Sequence, residues 1–263
     1  MSRVLLLGAG RMGGAMVSGW MFGDPAFARD LVIRDPHPGA EAMEAVEAGA
    51  TLNPADVDLM KAGTVVLAVK PQLWREAAAA VEPWLARDAI IVSVVAGVGL
   101  DDLRAAFGER FVARVMPTIA VAIAQGTATI YSDDDGARAR AHQLFDRIAQ
   151  VVDVDDELLM HAATAVSGSG PAYLYAFVEA LEVAGVRAGL SAEAATTLAR
   201  STIAGAASLM AMSEASPAEL RQQVTSPGGT TQAALEVLMG ERGLSALLDE
   251  AVAAAVRRSK ELG

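Results

Sequence analysis

The first half of the chain alternates short apolar runs with alanine-rich stretches whose apolar residues recur at helical spacing. The runs predict β-strands, at residues 3–7, 30–34, 64–69, 89–95, 111–115, 126–131 and 150–154. The last two are expected to be extra edge strands. Because the runs are continuously apolar and helical stretches separate them, they predict a mostly parallel sheet covered by helices on both faces.

After about residue 157 the strand-like runs stop, and alanine-rich segments with helical spacing take over. Helix starts are expected at Pro171, directly after Gly170, and at the N-cap residues Ser191 and Ser216. The chain has no linker rich in proline or glycine between its halves. The sequence therefore predicts an α/β fold, with a Rossmann-like domain at residues 1–156 and an all-α domain at residues 157–263.

The composition narrows the chemistry that the protein can carry out. The chain has no cysteine and only three dispersed histidines, so we predict no metal site and expect redox chemistry to need an organic cofactor. A net charge of −11 disfavours nonspecific binding to nucleic acid or an anionic membrane. The longest apolar run, 89–100, is shorter than the roughly 18–20 residues of a membrane span, and residues 1–10 lack a signal-peptide pattern. We expect a cytoplasmic protein that acts on small molecules.

A glycine-rich segment follows the first predicted strand and leads directly into a helical stretch. In this context glycines allow a tight turn, close approach of the backbone to a pyrophosphate, and packing of helix on strand. Unpaired N–H groups at the start of the helix then face the phosphates. We predict that a nicotinamide dinucleotide binds here, with contacts from Gly8, Ala9, Gly10, Arg11, Met12 and Gly13.

Asp35 ends the second predicted strand, 22 positions after Gly13. A carboxylate at this place can bind the ribose hydroxyls of NAD and repels the 2′-phosphate of NADP. Arg34, Arg11 or His37 could offset that repulsion. The sequence therefore leaves the choice between NADH and NADPH open.

Ligands bind an open parallel sheet beyond the carboxyl ends of its strands. Ala68-Val69-Lys70-Pro71 closes one predicted strand and Ala96-Gly97-Val98 follows another. Met116-Pro117-Thr118 follows a third. A glycine at position 97 would let the nicotinamide end of the cofactor lie close to the backbone.

Two segments of the helical half combine small residues with hydroxyl groups. Ser167-Gly168-Ser169-Gly170-Pro171-Ala172-Tyr173 runs into a long predicted helix. Thr225-Ser226-Pro227-Gly228-Gly229-Thr230-Thr231 opens the helical stretch at 232–239. Backbone N–H groups of the second segment, beside threonine hydroxyls and no acid, suit an anion such as a carboxylate.

Taken in this order and spacing, these segments resemble the pyrroline-5-carboxylate reductase family over essentially the whole chain. The resemblance implies an NADP(H)- or NAD(H)-dependent oxidoreductase of proline biosynthesis, whose helical domain interlocks with a second subunit and whose active sites form at the interface. It implies at least a homodimer, and possible assembly into a decamer. It also adds Asn53 to the cofactor contacts and assigns the substrate carboxylate to Ser226, Gly228, Gly229, Thr230 and Thr231.

Some positions depart from the family pattern. Where the family commonly reads Met-Pro-Asn-Thr-Pro, this chain has Met116-Pro117-Thr118-Ile119-Ala120. Gln223 replaces a common asparagine, and His161 replaces a common aspartate. Glu157 and Glu214 match family acids, with roles that the sequence does not assign.

The resemblance implies hydride transfer to a cyclic imine, 1-pyrroline-5-carboxylate, to give L-proline. Thr231, or a water that it holds, is the candidate for hydrogen bonding the ring nitrogen and delivering the proton. The altered 118–120 segment keeps a related imine reductase or β-hydroxyacid dehydrogenase open. A catalytically silent dinucleotide-binding module is the alternative from another class, because a fold alone does not fix a function.

Overall fold

The structure is a computed structural model that describes residues 3–261. Its strands are β1 (Arg3–Leu7), β2 (Leu31–Arg34), β3 (Thr51–Leu52), β4 (Ala62–Leu67), β5 (Ile90–Ser93), β6 (Val112–Pro117), β7 (Gly126–Tyr131) and β8 (Ala149–Asp153). They form one eight-stranded sheet in the order β3-β2-β1-β4-β5-β6-β7-β8. Only the β6–β7 pair is antiparallel within this part of the chain, so the predicted mostly parallel sheet is confirmed.

The sheet differs from the prediction at both edges. The strand expected at 126–131 is β7, but β7 lies between β6 and β8, so placing it at an edge was wrong. At the other edge, β3 was not predicted. Its two residues pair with Val32 and Ile33 of β2, and so short a segment carries no alternating pattern.

The α-helices alternate with the strands in the first half and follow one another in the second. They are α1 (Arg11–Phe22), α2 (Ala40–Glu47), α3 (Trp74–Val81), α4 (Leu100–Phe107), α5 (Asp135–Phe145), α6 (Leu159–Ala163), α7 (Gly170–Arg187), α8 (Ala192–Ala211), α9 (Pro217–Gln223), α10 (Thr230–Leu238) and α11 (Leu244–Glu261). Short 3-10 helices lie at Pro25–Asp30, Asp56–Lys61, Pro71–Leu73, Glu82–Trp84 and Ile119–Ile123.

Apolar side chains bury both faces of the sheet. In β1, Val4 and Leu6 belong to one core with buried residues of α1, α2 and α5. Leu5 and Leu7 point to the opposite core, which α3 and α4 cover. This alternation places two layers of helices around the sheet, as the continuous apolar runs predicted.

The described residues divide into two compact units, one of residues 3–168 with 255–261 and one of residues 169–254. In the second unit, Ser191 accepts the Ala194 N–H at the start of α8. Ser216 forms a capping box with Glu219 at the start of α9. Both N-caps agree with the prediction.

The segment that begins at Ser167 is more helical than expected. A π-helical turn covers Thr164–Gly168, and α7 begins two residues later. The Ser167 hydroxyl donates to the Ala163 carbonyl oxygen at 2.8 Å, and Thr164 donates to Met160 at 2.7 Å. These side-chain bonds to the preceding turn support a helical backbone here. Among residues 3–261, no helix is long and apolar enough to cross a membrane.

Candidate active site

The glycine-rich loop at residues 8–13 joins β1 to α1 as predicted. Gly8 has a φ of 91°, and a Cβ there would lie 2.8 Å from the Ala68 carbonyl oxygen. A Cβ on Gly13 would lie 2.1 Å from the Gly8 carbonyl oxygen, whereas one on Gly10 meets no atom within 4 Å. Gly8 and Gly13 are therefore required for the turn, and Gly10 leaves open space beside the start of the helix. This space fits a dinucleotide pyrophosphate.

The side chains of the other three loop residues differ in their exposure. Arg11 is the first residue of α1 and is exposed. Met12 is half-buried and packs against the core. Ala9 is buried, and its N–H donates to Asp35 Oδ2 at 2.6 Å. The loop and the end of β2 are thus joined by a direct hydrogen bond.

Asn53 lies beside Asp35 and holds its backbone. The Asp35 N–H donates to Asn53 Oδ1 at 3.0 Å, and Asn53 Nδ2 donates to the Asp35 carbonyl oxygen at 2.9 Å. Asn53 adopts a φ of 44°, which asparagine tolerates better than most residues. The predicted cofactor contacts at 35 and 53 are therefore neighbours, and Asn53 positions Asp35.

The predicted contacts after β4 and β5 lie at the carboxyl edge of the sheet. Ala68 and Val69 pack against the glycine loop at Gly8. Lys70 is exposed. Pro71 begins a 3-10 helix rather than ending the strand directly. The segment at 96–98 follows β5, and there Gly97 and Val98 are buried while Ala96 is half-buried.

An ion pair between a buried arginine and a half-buried glutamate, which the sequence did not reveal, lies next to this segment. Arg114 of β6 is 5% exposed, and its Nη1 donates to Glu157 Oε1 at 2.7 Å. The same oxygen accepts the N–H of Leu100, at the start of α4, at 2.7 Å. The sequence signal that could have identified Arg114 is a charged residue inside a strand that is otherwise apolar.

A cavity of about 230 Å³ adjoins the ion pair. His161 lines it, and His161 Nδ1 lies 2.9 Å from the Ser259 hydroxyl. Burial lowers the pKa of His161 below its ordinary value, and the positive charges of Arg114 and Lys260 lower it further. The imidazole that replaces the family aspartate is therefore favoured in its neutral form.

Thr118, where the family commonly has asparagine, is buried and serves the sheet. Its hydroxyl accepts the Thr127 N–H at 2.9 Å, and its own N–H donates to the Thr127 carbonyl oxygen at 2.8 Å. These bonds join the end of β6 to β7. The Thr118 hydroxyl therefore stabilises the backbone at this junction.

The substrate residues predicted at 226–231 span the loop at 226–229 and the first two residues of α10, which begins at Thr230. We call residues 226–231 the carboxylate loop. The Gly229 N–H donates to the Ser226 carbonyl oxygen, and the Gly228 N–H donates to Gln232 Oε1 at 2.8 Å. Two of the expected N–H donors are thus already bonded to acceptors of the protein. The first N–H groups of α10, from Thr230 onward, have no acceptor within the helix and stay available to an anion.

The sheet order, the glycine loop before α1 and the carboxylate after β2 define a dinucleotide-binding oxidoreductase of the Rossmann type. Residues 3–97 match a family model described as NADP oxidoreductase coenzyme F420-dependent. Residues 157–262 match one described as pyrroline-5-carboxylate reductase dimerisation. The chain belongs to the pyrroline-5-carboxylate reductase family, as the resemblance indicated, and it is an oxidoreductase that uses NADP(H) or NAD(H).

Similar proteins match the chain over nearly its full length. A pyrroline-5-carboxylate reductase from Pseudomonas aeruginosa is 38% identical, with 99% of this chain and 96% of the relative covered. A solved Coxiella burnetii pyrroline-5-carboxylate reductase is 29% identical with a TM-score of 0.89, covering 100% and 98%. A Plasmodium falciparum pyrroline carboxylate reductase, solved with NADP bound, is 25% identical with a TM-score of 0.84, covering 99% and 98%.

Proposed function

We propose that this protein reduces 1-pyrroline-5-carboxylate to L-proline with hydride from NADPH or NADH, the last step of proline biosynthesis. The observation that carries the proposal is the full-length match to a relative named for this activity, at 38% identity. The glycine loop and the carboxylate loop support it, because a reductase of a small imine acid needs a dinucleotide site and an anion site.

The glycine loop would hold the pyrophosphate, Asp35 the adenosine ribose, and the 96–98 segment the nicotinamide end. When bound, the reduced nicotinamide supplies a hydride to the imine carbon. The carboxylate loop binds the substrate carboxylate through backbone N–H groups and the hydroxyls of Ser226 and Thr230. Thr231, or a water that it holds, hydrogen-bonds the ring nitrogen and helps to deliver to it a proton that comes from solvent. Positioning of the imine carbon against the nicotinamide lowers the barrier without a strong acid–base pair.

The activity is tested by following the loss of reduced nicotinamide when purified protein receives pyrroline-5-carboxylate and either NADPH or NADH, with proline measured as product. We expect oxidation that depends on the imine. Thr231→Ala should lower kcat by about a hundredfold, the usual scale of a lost proton donor, and Thr231→Ser should restore most of it. The absence of oxidation with both cofactors contradicts the proposed activity, and normal turnover by Thr231→Ala contradicts the role of Thr231.

We further propose that two copies of the chain associate through the helical half, as a homodimer that can assemble into a decamer. Within the second unit α7 has no buried residue, and many of its apolar side chains are exposed. Such a large apolar surface favours contact with another subunit. The large apolar side chains of α7 that are at least 37% exposed are Leu174, Tyr175, Phe177, Leu181, Val183 and Val186. Sedimentation of the purified protein measures the assembly, and a monomer at micromolar concentration contradicts it.

The match of residues 157–262 to a dimerisation model supports a dinucleotide-binding domain at 1–156 and a helical dimerisation and substrate domain at 157–263. Separate expression of residues 1–156 tests this division, since we expect that fragment alone to bind the dinucleotide. A cytoplasmic location stays a prediction of the sequence.

A further inference from the structure

We propose that Asp35 makes this protein select NADH over NADPH. This preference deepens the proposed function, on which it rests. It answers the question that the sequence left open, because the structure shows what holds the Asp35 carboxylate and which cations near it are already paired.

The carboxylate lies where the adenosine ribose binds in a Rossmann fold. Asp35 directly follows β2, the strand beside β1, and the two strands run parallel in register. The Gly8 N–H donates to the Arg34 carbonyl oxygen at 3.0 Å, and the Ala9 N–H donates to Asp35 Oδ2 at 2.6 Å. The carboxylate is therefore bound to the loop that receives the pyrophosphate. In this fold an acid at the end of the second strand accepts the ribose hydroxyls.

The carboxylate is held in this orientation from several sides. Its second oxygen, Oδ1, accepts the His37 N–H at 2.7 Å. Asn53 holds both the N–H and the carbonyl oxygen of Asp35. A 2′-phosphate therefore cannot be admitted by a simple rotation of the side chain, which would break two charge-assisted hydrogen bonds. Each carboxylate oxygen still has a lone pair for a ribose hydroxyl.

The nearby charges add to the repulsion of a phosphate. Arg34, the cation closest in sequence, forms an ion pair with Asp56. A methyl group at Gly14 would lie 3.0 Å from Glu41 Oε2, so a second carboxylate packs against α1. Arg11 of the glycine loop and His37, two positions after Asp35, are exposed. Exposed cations are screened by water and salt more strongly than a fixed carboxylate in contact with the ligand.

The test measures binding without catalysis. Purified full-length protein is titrated with NAD⁺ and with NADP⁺ by calorimetry, and kcat/KM is then measured with NADH and NADPH. We expect NADP⁺ to bind at least about tenfold more weakly than NAD⁺, because the phosphate carries up to two negative charges beside the carboxylate. Equal or tighter binding of NADP⁺ overturns the inference.

Two variants test whether Asp35 causes the preference for NAD⁺ over NADP⁺. Asp35→Asn keeps the shape of the side chain and removes its charge, so we expect the NADP⁺ dissociation constant to fall and the ratio to approach one. Asp88→Asn removes the same charge from an exposed turn before the amino end of β5, and it should leave the ratio unchanged. An unchanged ratio in Asp35→Asn overturns the inference. If that variant does not fold, the ratio of the unmodified protein still decides.

The two proposals fail in different ways. Selective binding of NAD⁺ without oxidation of NADH by pyrroline-5-carboxylate contradicts the proposed function and supports the preference. Turnover that is faster with NADPH, together with tighter binding of NADP⁺, supports the proposed function and overturns the preference.

Discussion

Arg114 and Glu157 form a short ion pair, 2.7 Å from Nη1 to Oε1, although they are 43 positions apart in the chain. Because Glu157 Oε1 also accepts the Leu100 N–H, one carboxylate joins β6 to the start of α4. The segment at 96–98, which we expect to meet the nicotinamide, lies directly before this junction. We therefore expect Glu157, whose role the sequence did not assign, to position the segment at 96–98.

We expect Glu157→Ala to lower the free energy of unfolding by about 3 kcal/mol, because it leaves a buried guanidinium without its partner. Glu157→Gln should lose less, since its amide oxygen can still accept the Leu100 N–H. Urea denaturation of both variants measures this, with Glu109→Ala at an exposed turn as the control. A Glu157→Ala variant as stable as the control contradicts the stabilising role of the ion pair.

Substitutions of Gly13 and Gly10 should have different effects, the first on the stability of the fold and the second on the affinity for the dinucleotide. Gly13→Ala places a Cβ 2.1 Å from the Gly8 carbonyl oxygen, so we expect a loss of stability of about 1–3 kcal/mol. Gly10→Ala meets no protein atom within 4 Å, so its stability should change by less than about 0.5 kcal/mol. Its affinity for the dinucleotide should fall at least about tenfold, because the methyl group takes the space of the pyrophosphate.

Thermal unfolding and calorimetric titration of the two variants give both quantities. Equal effects of the two substitutions on stability would contradict the expectation that only Gly13 is too close to other atoms for a side chain. Unchanged dinucleotide affinity in Gly10→Ala would show that the pyrophosphate does not approach this glycine.

His142 should make stability depend on pH. Burial of its imidazole opposes protonation, but hydrogen bonds to Asp146 and Asp153, both at 2.9 Å, and the charges of these carboxylates outweigh it. The pKa of His142 is therefore raised above its ordinary value. The resulting stabilisation is fully present below the unfolded pKa of about 6.5 and is lost as pH rises through the folded pKa.

Comparing the unmodified protein with His142→Gln isolates this contribution from other titrating groups. We expect the stability advantage of the histidine to be larger at about pH 5.5 than at about pH 8.5. Urea denaturation at both values measures it. A difference between the two proteins that is the same at both pH values rules out the contribution.

Gln232 should compete with the substrate for the carboxylate loop. Its Oε1 accepts the Gly228 N–H at 2.8 Å, so a carboxylate that binds this N–H must displace the amide. We expect Gln232→Ala to lower the KM for the imine acid several-fold and to change kcat little. The change in KM corresponds to about 1 kcal/mol or less of binding free energy, the scale of one hydrogen bond. Steady-state kinetics measure both, and an increased KM would mean that the glutamine supports the bound loop instead.

The sequence predicted the elements whose patterns are local. The run at 126–131 matches β7 at both ends, and the N-caps Ser191 and Ser216 were recognised because capping depends on residues three positions apart. The position of β7 between β6 and β8 was missed, since strand order depends on contacts that are distant in the chain.

The candidate site was predictable to a similar extent. The glycine loop and Asp35 could be identified from spacing alone, and the structure brings them together. The Arg114–Glu157 pair could not be paired from sequence, because its residues belong to separate segments. The use of the Gly228 N–H by Gln232 also escaped prediction, because it depends on the direction of one side chain.

Transfer of labelled hydrogen tests the central claim most directly. The protein is incubated with pyrroline-5-carboxylate and, in parallel reactions, NADH or NADPH that carries deuterium at both hydrogen positions of nicotinamide C4, and the product is analysed by mass spectrometry and NMR. The proposed function requires proline with one deuterium at Cδ, the former imine carbon. The absence of proline with both cofactors, or proline without deuterium at Cδ, would contradict it.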